Sequence, residues 1–476
     1  MSSALDKVVV MKFGGTSVED AAAMTRTVNI VAGRKQRGLD AIVVVSAMAK
    51  VTDQLIAAGK TASTGDKAGA LSISAGLRKR HLDTAAELLQ PEIAAATQEW
   101  LNNKFDSLDE LLRGIAAVEE ITLRTSDLVV SFGERLSSKI IAEYVTQRGL
   151  DGVHVDARKC IITDDQHGKA VPQPKLIEER MREHVLPLVK KHQTPVMGGF
   201  IASTTAGVTS TLGRGGSDYT AALVGGGLHA GAIEIWTDVN GIMTTDPRIC
   251  PDALRVKCIS FEEAAELAYF GAKVLHPATI LPAVQKNIPV YVLNSRNAEN
   301  EGTKIIAEAP HSRSPFKCIA AKKKLTIIDI VSTGMLMSHG YMKAVFDIFD
   351  KHKVVIDMVS TSEVSISVTV DSSEHLPQIC ADLSEIAEVK YEGKKALICL
   401  VGEDIRGHHG MAAQVFNAVR HINVRMISQG ASEINMSFMI EEADADEAVR
   451  SLHKVFFADA DPEVFDTTAK LQTAAK

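Results

Sequence analysis

Aromatic residues make up only 5% of this chain, and no apolar run is long enough to cross a bilayer. Neither export nor membrane anchoring is expected. The six cysteines, Cys160, Cys250, Cys258, Cys318, Cys380 and Cys399, stand apart, with no CxxC pair and no histidine at zinc-ligand spacing. A disulfide framework and a thiolate metal centre are thereby excluded, and the cysteines read as reduced packing residues of a cytoplasmic protein. Blocks of like charge are also missing. With a net charge of −7 there is no general basic surface, so neither nucleic acid nor membrane is an expected partner. Any small anion must be held locally. What the chain does have is length and apolar content: 476 residues, 46% apolar and 23% charged, enough for two or three domains with sizeable cores.

The stretch VVVMKFGGTSVED, residues 8–20, organises the rest. Apolar residues run into Lys12 and Phe13, then Gly14-Gly15, then Thr16 and Ser17 ahead of an amphipathic run, which reads as strand, glycine turn, helix. Paired glycines let the backbone approach a ligand, and Thr16 or Ser17 is expected to cap the helix and leave its first N–H groups open to phosphate. Lys12 at the strand end would meet the same anion. The spacing matches neither the Walker A pattern nor the GxGxxG dinucleotide fingerprint.

A helix over 21–33 and a buried strand within 40–47 follow, making a βαβ unit whose parallel sheet places ligands at the carboxyl ends of its strands. Ser46 and Thr52 lie at such an end. Residues 77–124 read as helical with a break at Trp100 to Phe105, and Gly133-Glu134-Arg135 opens another helix to about Gln147. Residues 156–174, rich in Asp, Gly and Pro, are expected as an irregular surface excursion. After a strand broken by Gly198-Gly199 comes TLGRGGSDYTAALVGGGLHAG, a second glycine loop feeding a helix, with Arg214 and Asp218 beside it and Ser217 as the expected N-cap. Two such loops in one α/β domain point to two anionic groups bound near each other. A strand ending at Thr237-Asp238, a turn-rich loop through Arg248, a helix over 261–270 and a glycine-punctuated segment holding Lys273 complete the region. Residues 294–315 carry the turn residues of a linker.

The C-terminal third repeats itself. GYMKAVFDIF at Gly340 resembles GMAAQVFNAV at Gly410, and SEVSISVTV at Ser362 resembles SEINMSFMI at Ser432. Each copy reads as a βαββαβ unit.

KFGGTSV, TLGRGGSDYTA, WTDVNGI, TTDPR and FGAKVLHP in this order, followed by a duplicated βαββαβ unit, resemble the aspartate kinases (aspartokinases), and most the monofunctional, lysine-sensitive type. The resemblance implies an amino-acid-kinase fold, α/β with a mainly parallel sheet between helices, followed by two α+β ACT units. It implies a catalytic domain at 1–295, a linker at 296–314, interleaved ACT domains at 315–457 (the first about 324–392, the second 315–323 plus 393–457) and a polar tail at 458–476. Aspartate phosphorylation by MgATP to 4-phospho-L-aspartate is implied, as the first step towards lysine, threonine and methionine, with feedback inhibition by L-lysine and a homodimer or higher oligomer formed through the ACT domains. By resemblance, Lys12 and Asp218 are catalytic, and Ser46, Thr52, Glu134, Arg214 and Ser217 bind the aspartate. Lys12, Phe13, Gly14, Gly15, Thr237, Asp238, Met243, Arg248, Lys273 and Val274 hold ATP. Met335, Ser338, Gly340, Met342, Asp357, Ser362 and Glu363 bind the effector lysine. Magnesium is carried by ATP, with no protein metal site of its own. One position departs from the family pattern: Met243 stands where an aromatic residue is common.

Glu134 and Arg214 give an amino acid with free ammonium and carboxylate one partner each, which argues against an N-acylated substrate. Another kinase of this fold, acting on glutamate, acetylglutamate, carbamate or a nucleoside monophosphate, is one alternative. A non-catalytic amino-acid sensor with a relic kinase fold is another, opposed by Lys12, Arg214 and Asp218 all being present.

Overall fold

The computed structural model describes residues 5–270, 277–335, 339–371 and 375–467. The chain forms two compact units, one of residues 1–242 and 274–309 and the other of residues 243–273 and 310–476. Neither division coincides with the expected boundary at 295, because the chain leaves the first unit after Ile242 and returns to it.

In the first unit a mostly parallel sheet is built from β1 (Val8–Phe13), β2 (Asp40–Val45), β3 (Gly152–Val155), β4 (Thr194–Gly198), β5 (Ala232–Thr237), β6 (Val290–Asn294) and β7 (Thr303–Ile306), in the order β7-β6-β5-β1-β2-β4-β3. Every residue of β1 is buried. Strands covered on both faces read as continuous Val/Ile runs, as 8–10 and 41–45 do. Only β7 is antiparallel, pairing Thr303 to Ile305 with Val292 to Val290. This strand lies inside the expected linker 296–314, and Ile305 is fully buried. The turn residues around 294–302 made a hairpin, not a tether.

Three further expectations are corrected. Helix Ala21–Gln36 is capped by Asp20, whose Oδ1 accepts from Ala23 N–H at 2.7 Å, while Thr16 and Ser17 fall in a preceding 3₁₀ turn, Gly15–Ser17. No helix break occurs at Trp100 to Phe105. Leu101, Phe105, Leu108 and Leu112 are all buried on one face of helix Pro91–Val118, and the interruption comes earlier, at Leu89 and Gln90, before Pro91 at the helix start. Residues 156–174 are a surface excursion only in part: Cys160 and Ile161 are fully buried and Ile162–Thr163 pairs in parallel with Ser203 and Thr204, while 164–169 is irregular and mostly exposed.

The second unit carries a sheet ordered β9-β10-β8-β11-β13-β12, from β8 (Phe316–Val331), β9 (Ile356–Thr361), β10 (Ser365–Asp371), β11 (Glu388–Gly402), β12 (Met426–Gln429) and β13 (Asn435–Glu441). Two long strands serve both repeats. The later half of β8, Leu325 to Val331, pairs with β10 and with Lys395 to Glu388, while its earlier half, Phe316 to Lys322, pairs with Gly402 to Leu397. The register shifts between the halves, where Lys324 adopts φ 63°. Helices Tyr341–Lys351 and Leu376–Ser384 cover the first repeat, burying Val345, Phe349, Ile379 and Leu383 against Ile328, Ile330 and Val368. Within the expected polar tail, Val464 and Phe465 are buried, and Phe465–Asp466 pairs with Arg255–Val256, so the described part of 458–476 is packed. Among the described residues no helix is long and apolar enough to cross a membrane.

Candidate active site

The register of the first sheet sets the site. Trp236, Phe13, Val45 and Gly198 are direct neighbours across β5, β1, β2 and β4. The residues one step beyond, Thr237, Gly14, Ser46 and Gly199, therefore line the carboxyl edge of four parallel strands, where open α/β sheets bind ligands.

Gly14 N–H donates to Trp236 O at 3.1 Å, fixing the turn against β5. A Cβ on Gly15 would come within 3.1 Å of Ala47 O, so this turn approaches the segment after β2 more closely than most side chains allow. Gly15 and Thr16 N–H have no partner among the described residues, and their amides are open to an anion in place of the helix start that Asp20 occupies. Ser17 serves the scaffold, sharing a hydrogen bond with Ser295 Oγ at 2.8 Å. Phe13 is buried and stacks on Trp236, with ring centroids 5.9 Å apart, so it supports the loop from beneath.

Lys12 is 9% exposed at the end of β1, and its Nζ lies 2.6 Å from Asp218 Oδ1, a close ion contact without hydrogen-bond alignment. Asp218 lies in the first turn of helix Gly216–Leu228. The N-cap is Gly215, in the left-handed region at φ 69°, with no side-chain cap, and the expected cap Ser217 is instead a buried helical residue. Gly216 N–H donates to Gly213 O at 3.1 Å, and the Ser217 and Asp218 N–H groups, without a partner among the described residues, are left for a ligand. Arg214 stands exposed between Gly213 and Gly215 and forms no ion pair among the described residues.

Glu134, in the first turn of helix Phe132–Gln147, is 3% exposed. Its Oε1 accepts from Ala47 N–H at 3.2 Å, and its Oε2 is buried without a partner among the described residues. Burial pushes its carboxyl up to about 8, against the lowering effect of the Ala47 N–H. Ser46 N–H donates to Phe13 O at 3.0 Å, and Thr52 is half-buried in the first turn of helix Val51–Ala62.

Two parts of this arrangement were not assigned from the sequence. A Cβ on Gly198 would fall 2.8 Å from Glu134 Cβ, and one on Gly199 2.7 Å from Ser217 Cα, so this glycine pair admits both side chains to the edge. Their only signal is two glycines at a strand end. Buried Asp127 accepts from Thr211 Oγ1 at 2.6 Å and from Gly168 N–H at 3.0 Å, anchoring the strand that leads into the Arg214 loop. No local pattern marks it.

Thr237 ends β5 and Asp238 follows it, with Thr237 Oγ1 donating to Asp238 Oδ1 at 3.3 Å. Met243 and Arg248 belong to the second unit, where Arg248 is exposed and held by Asp246 at 2.6 Å. Lys273 and Val274 lie outside the described residues, as does Ser338.

Around the other expected positions in the second unit, Gly340 is the N-cap of helix Tyr341–Lys351 at φ 83°, with Met335 half-buried before it and Met342 exposed on it. Ser362 and Glu363 form the exposed turn between β9 and β10, with Ser362 N–H donating to Ser365 O at 2.8 Å. Asp357 is already engaged: Lys322 Nζ lies 2.8 and 2.9 Å from its two oxygens. Burial opposes the Lys322 charge, yet Asp357 and Asp371 hold its ammonium above the ordinary value. In the second repeat Met426 pairs with Met439 as Met358 pairs with Thr369, which puts Arg425 at the place of Asp357.

A parallel sheet whose carboxyl edge joins two glycine loops, a lysine–aspartate contact and a buried carboxylate, followed by paired βαββαβ units, defines an amino acid kinase with ACT domains. The amino acid kinase family matches residues 7–294, and the ACT domain matches 328–376 and 398–456. The chain belongs to the aspartokinases, ATP-dependent phosphotransferases that act on a carboxylate. It is 36% identical over 466 residues to lysine-sensitive aspartokinase 3 of Escherichia coli, covering 95% of this chain and 100% of the relative. Aspartokinase 1, chloroplastic, of Arabidopsis thaliana is 36% identical over 479 residues, covering 95% and 80%. Among solved structures, E. coli aspartokinase III in complex with aspartate and ADP superposes with a TM-score of 0.81 at 35% identity, covering 94% of this chain and 100% of that one. The same enzyme with lysine and aspartate gives 0.81 at 35% identity, covering 95% and 100%.

Proposed function

We propose that this aspartate kinase transfers the γ-phosphoryl group of MgATP to the side-chain carboxylate of L-aspartate, giving 4-phospho-L-aspartate and ADP as the first step towards lysine, threonine and methionine. The observation that carries the substrate reading is Glu134 Oε2, a buried carboxylate oxygen at the carboxyl edge without a partner among the described residues, which an ammonium would satisfy. Arg214, exposed and without an ion pair among the described residues, is the partner for the α-carboxylate, and Ser46, Thr52 and Ser217 are the hydroxyls of the same pocket. The acceptor, with an ordinary pKa of about 3.9, is ionised at neutral pH, so attack needs no strong base. Catalysis is then positioning and charge neutralisation. Lys12 stabilises charge on the transferred group, Asp218 orients Lys12, and the Gly15 and Thr16 amides receive phosphate oxygens. Magnesium enters with the nucleotide, where it neutralises phosphate charge. Thr237 and Asp238 lie on the nucleotide side. The nucleotide roles of Met243, Arg248, Lys273 and Val274 rest on the resemblance alone. ATP consumption measured with a panel of acidic amino acids tests the reading: turnover is expected with aspartate, and better turnover with glutamate or acetylglutamate would remove it.

The relatives' lysine sensitivity supports feedback inhibition by L-lysine at the first repeat, through Asp357, the Gly340 turn and their neighbours Met335, Ser338, Met342, Ser362 and Glu363. Because Lys322 already neutralises Asp357, the effector's ammonium must displace an internal one. Removing a hydrogen bond to a charged group costs about 1.5–3 kcal/mol, so Asp357→Ala is expected to raise the half-inhibitory lysine concentration at least about tenfold. Lys322→Gln should lower it, with turnover without lysine unchanged in both. Inhibition curves indifferent to both substitutions would sink the assignment.

A homodimer completes the reading. The sheet edges β9 and β12 expose Val359 and Ile427, and such edges are normally covered. Sedimentation equilibrium should give twice the chain mass; a single-chain mass at assay concentration would contradict it.

A further inference from the structure

A cavity of about 320 Å³ opens in the first unit, with Gly198 and, from the helix that carries Glu134, Arg135 and Ser138 in its wall. Its wall carries Lys104, Arg135, Arg158 and Lys159 against one carboxylate, Asp156. That carboxylate is committed: Asp156 Oδ1 accepts from Arg158 Nε at 3.0 Å and Oδ2 from Nη2 at 2.6 Å. Lys104 and Arg135 form no ion pair among the described residues. Their charges rest on aromatic faces instead, Lys104 over Trp100 at 5.3 Å and Arg135 over Phe132 at 4.6 Å.

These cations work against one another. Burial and the neighbouring Arg158 bring the Arg135 guanidinium down to about 10, and burial with Arg135 and Arg158 lowers Lys104. His154 in the same wall is pushed down to about 4 by burial and by Lys139, and its neutral ring shares a hydrogen bond with Ser138 Oγ at 3.0 Å. Solvated surface lysines would account for Lys159, which is exposed, but not for Arg135, which is largely enclosed and close to a second guanidinium. Like charges gathered around one concave space are stabilised when an anion sits among them. The phosphoryl-transfer chemistry uses none of these groups.

We propose that this cavity is a binding site for a compact oxyanion carrying two or more negative charges, separate from the aspartate site with which it shares the Gly198 wall. Inorganic phosphate and a small dicarboxylate share that chemistry.

The chain reports on the site directly. It contains two tryptophans, Trp100 in the cavity wall and Trp236 fully buried in the core. Emission of the full-length protein is followed while inorganic phosphate, or in a separate arm succinate, is added at constant ionic strength, with sodium chloride as control. A saturable change is expected with at least one of the two anions and not with chloride, and the tighter arm identifies the source. It should persist in Glu134→Gln, vanish in Trp100→Phe, and need at least about ten times more anion in Lys104→Gln/Arg135→Gln. Lys104→Gln alone, at a half-exposed position, should show a smaller weakening and serves if the double variant loses its native circular dichroism. The proposal is overturned if neither anion saturates, if folded variants bind as tightly as the wild type, or if aspartate or Glu134→Gln abolishes binding, since the cavity would then be part of the substrate site.

Discussion

Replacing Lys12 by alanine is expected to lower kcat about 10²- to 10³-fold while leaving the aspartate KM close to that of the wild type. The Lys12 ammonium sits at the end of β1, nearly enclosed, 2.6 Å from Asp218 and beside the Gly14 turn. A charged donor preorganised where phosphoryl charge develops acts on the transition state more than on the ground state, and its removal typically costs that factor. Asp218 would then remain as an uncompensated carboxylate near the phosphates, which adds to the loss. Lys12→Arg should recover little, because a planar guanidinium does not reproduce a compact ammonium at a fixed distance. Steady-state kinetics in both substrates checks this. A variant with normal kcat and a raised aspartate KM would move Lys12 from the phosphates to the amino acid.

Glu134→Gln is expected to act on function and stability in opposite directions. Removing one partner of a buried, hydrogen-bonded charge pair costs about 2–5 kcal/mol, so the aspartate KM should rise roughly thirtyfold to several thousandfold with the ATP KM little changed. In the free protein the Glu134 carboxyl is held up at about 8 by burial, so near neutrality it is mostly protonated. On the proposed reading, aspartate brings an ammonium, selects the ionised form and releases a proton. The wild-type aspartate KM should therefore fall as pH rises towards 8 and level off above it, and the glutamine variant should lack that slope.

The sign for stability follows from the same shift. A carboxyl whose folded value is raised above its unfolded value favours folding while protonated in both states, and that contribution is lost as pH rises from the ordinary carboxylate range to about 8. Glu134→Gln should then be more stable than the wild type at pH 7 by about 3 kcal/mol, and indistinguishable from it near pH 4. Thermal melts at both pH values, beside the kinetic pH profile, separate this role from a structural one. A glutamine variant that is less stable at pH 7 and raises both KM values equally would show that Glu134 is a packing residue.

The carboxyl edge was legible because β1 and β2 are short, β-branched runs ending in special residues, and a βαβ unit obliges those ends to lie side by side. Lys12, the Gly14 turn and the start of helix Gly216–Leu228 could be placed on that edge without coordinates. The caps were harder to place. Ser and Thr before a helix are the usual signal, yet Gly15–Ser17 closes a 3₁₀ turn first and Asp20 takes the cap, while Gly215 displaces Ser217 because the loop needs left-handed backbone there. Trp100 to Phe105 does not break its helix, because Leu101, Phe105, Leu108 and Leu112 recur at helical spacing and are all buried on one face. Interactions across long separations left no local trace. Lys322 on Asp357, Asp127 on Thr211, and the reason for Gly198 and Gly199, which is Glu134 and Ser217 pressed against them, all depend on the tertiary fold.

The central claim is that this edge phosphorylates the side chain of a free amino acid held by Glu134. Hydroxylamine added to the reaction with MgATP converts an acyl phosphate to a hydroxamate whose parent acid can be identified by mass. The predicted product is the β-hydroxamate of aspartate, formed in step with ADP and reduced to trace rates in Lys12→Ala. A hydroxamate of glutamate or of an N-acylated acid formed faster than that of aspartate, or ADP release with no hydroxamate at all, would contradict it.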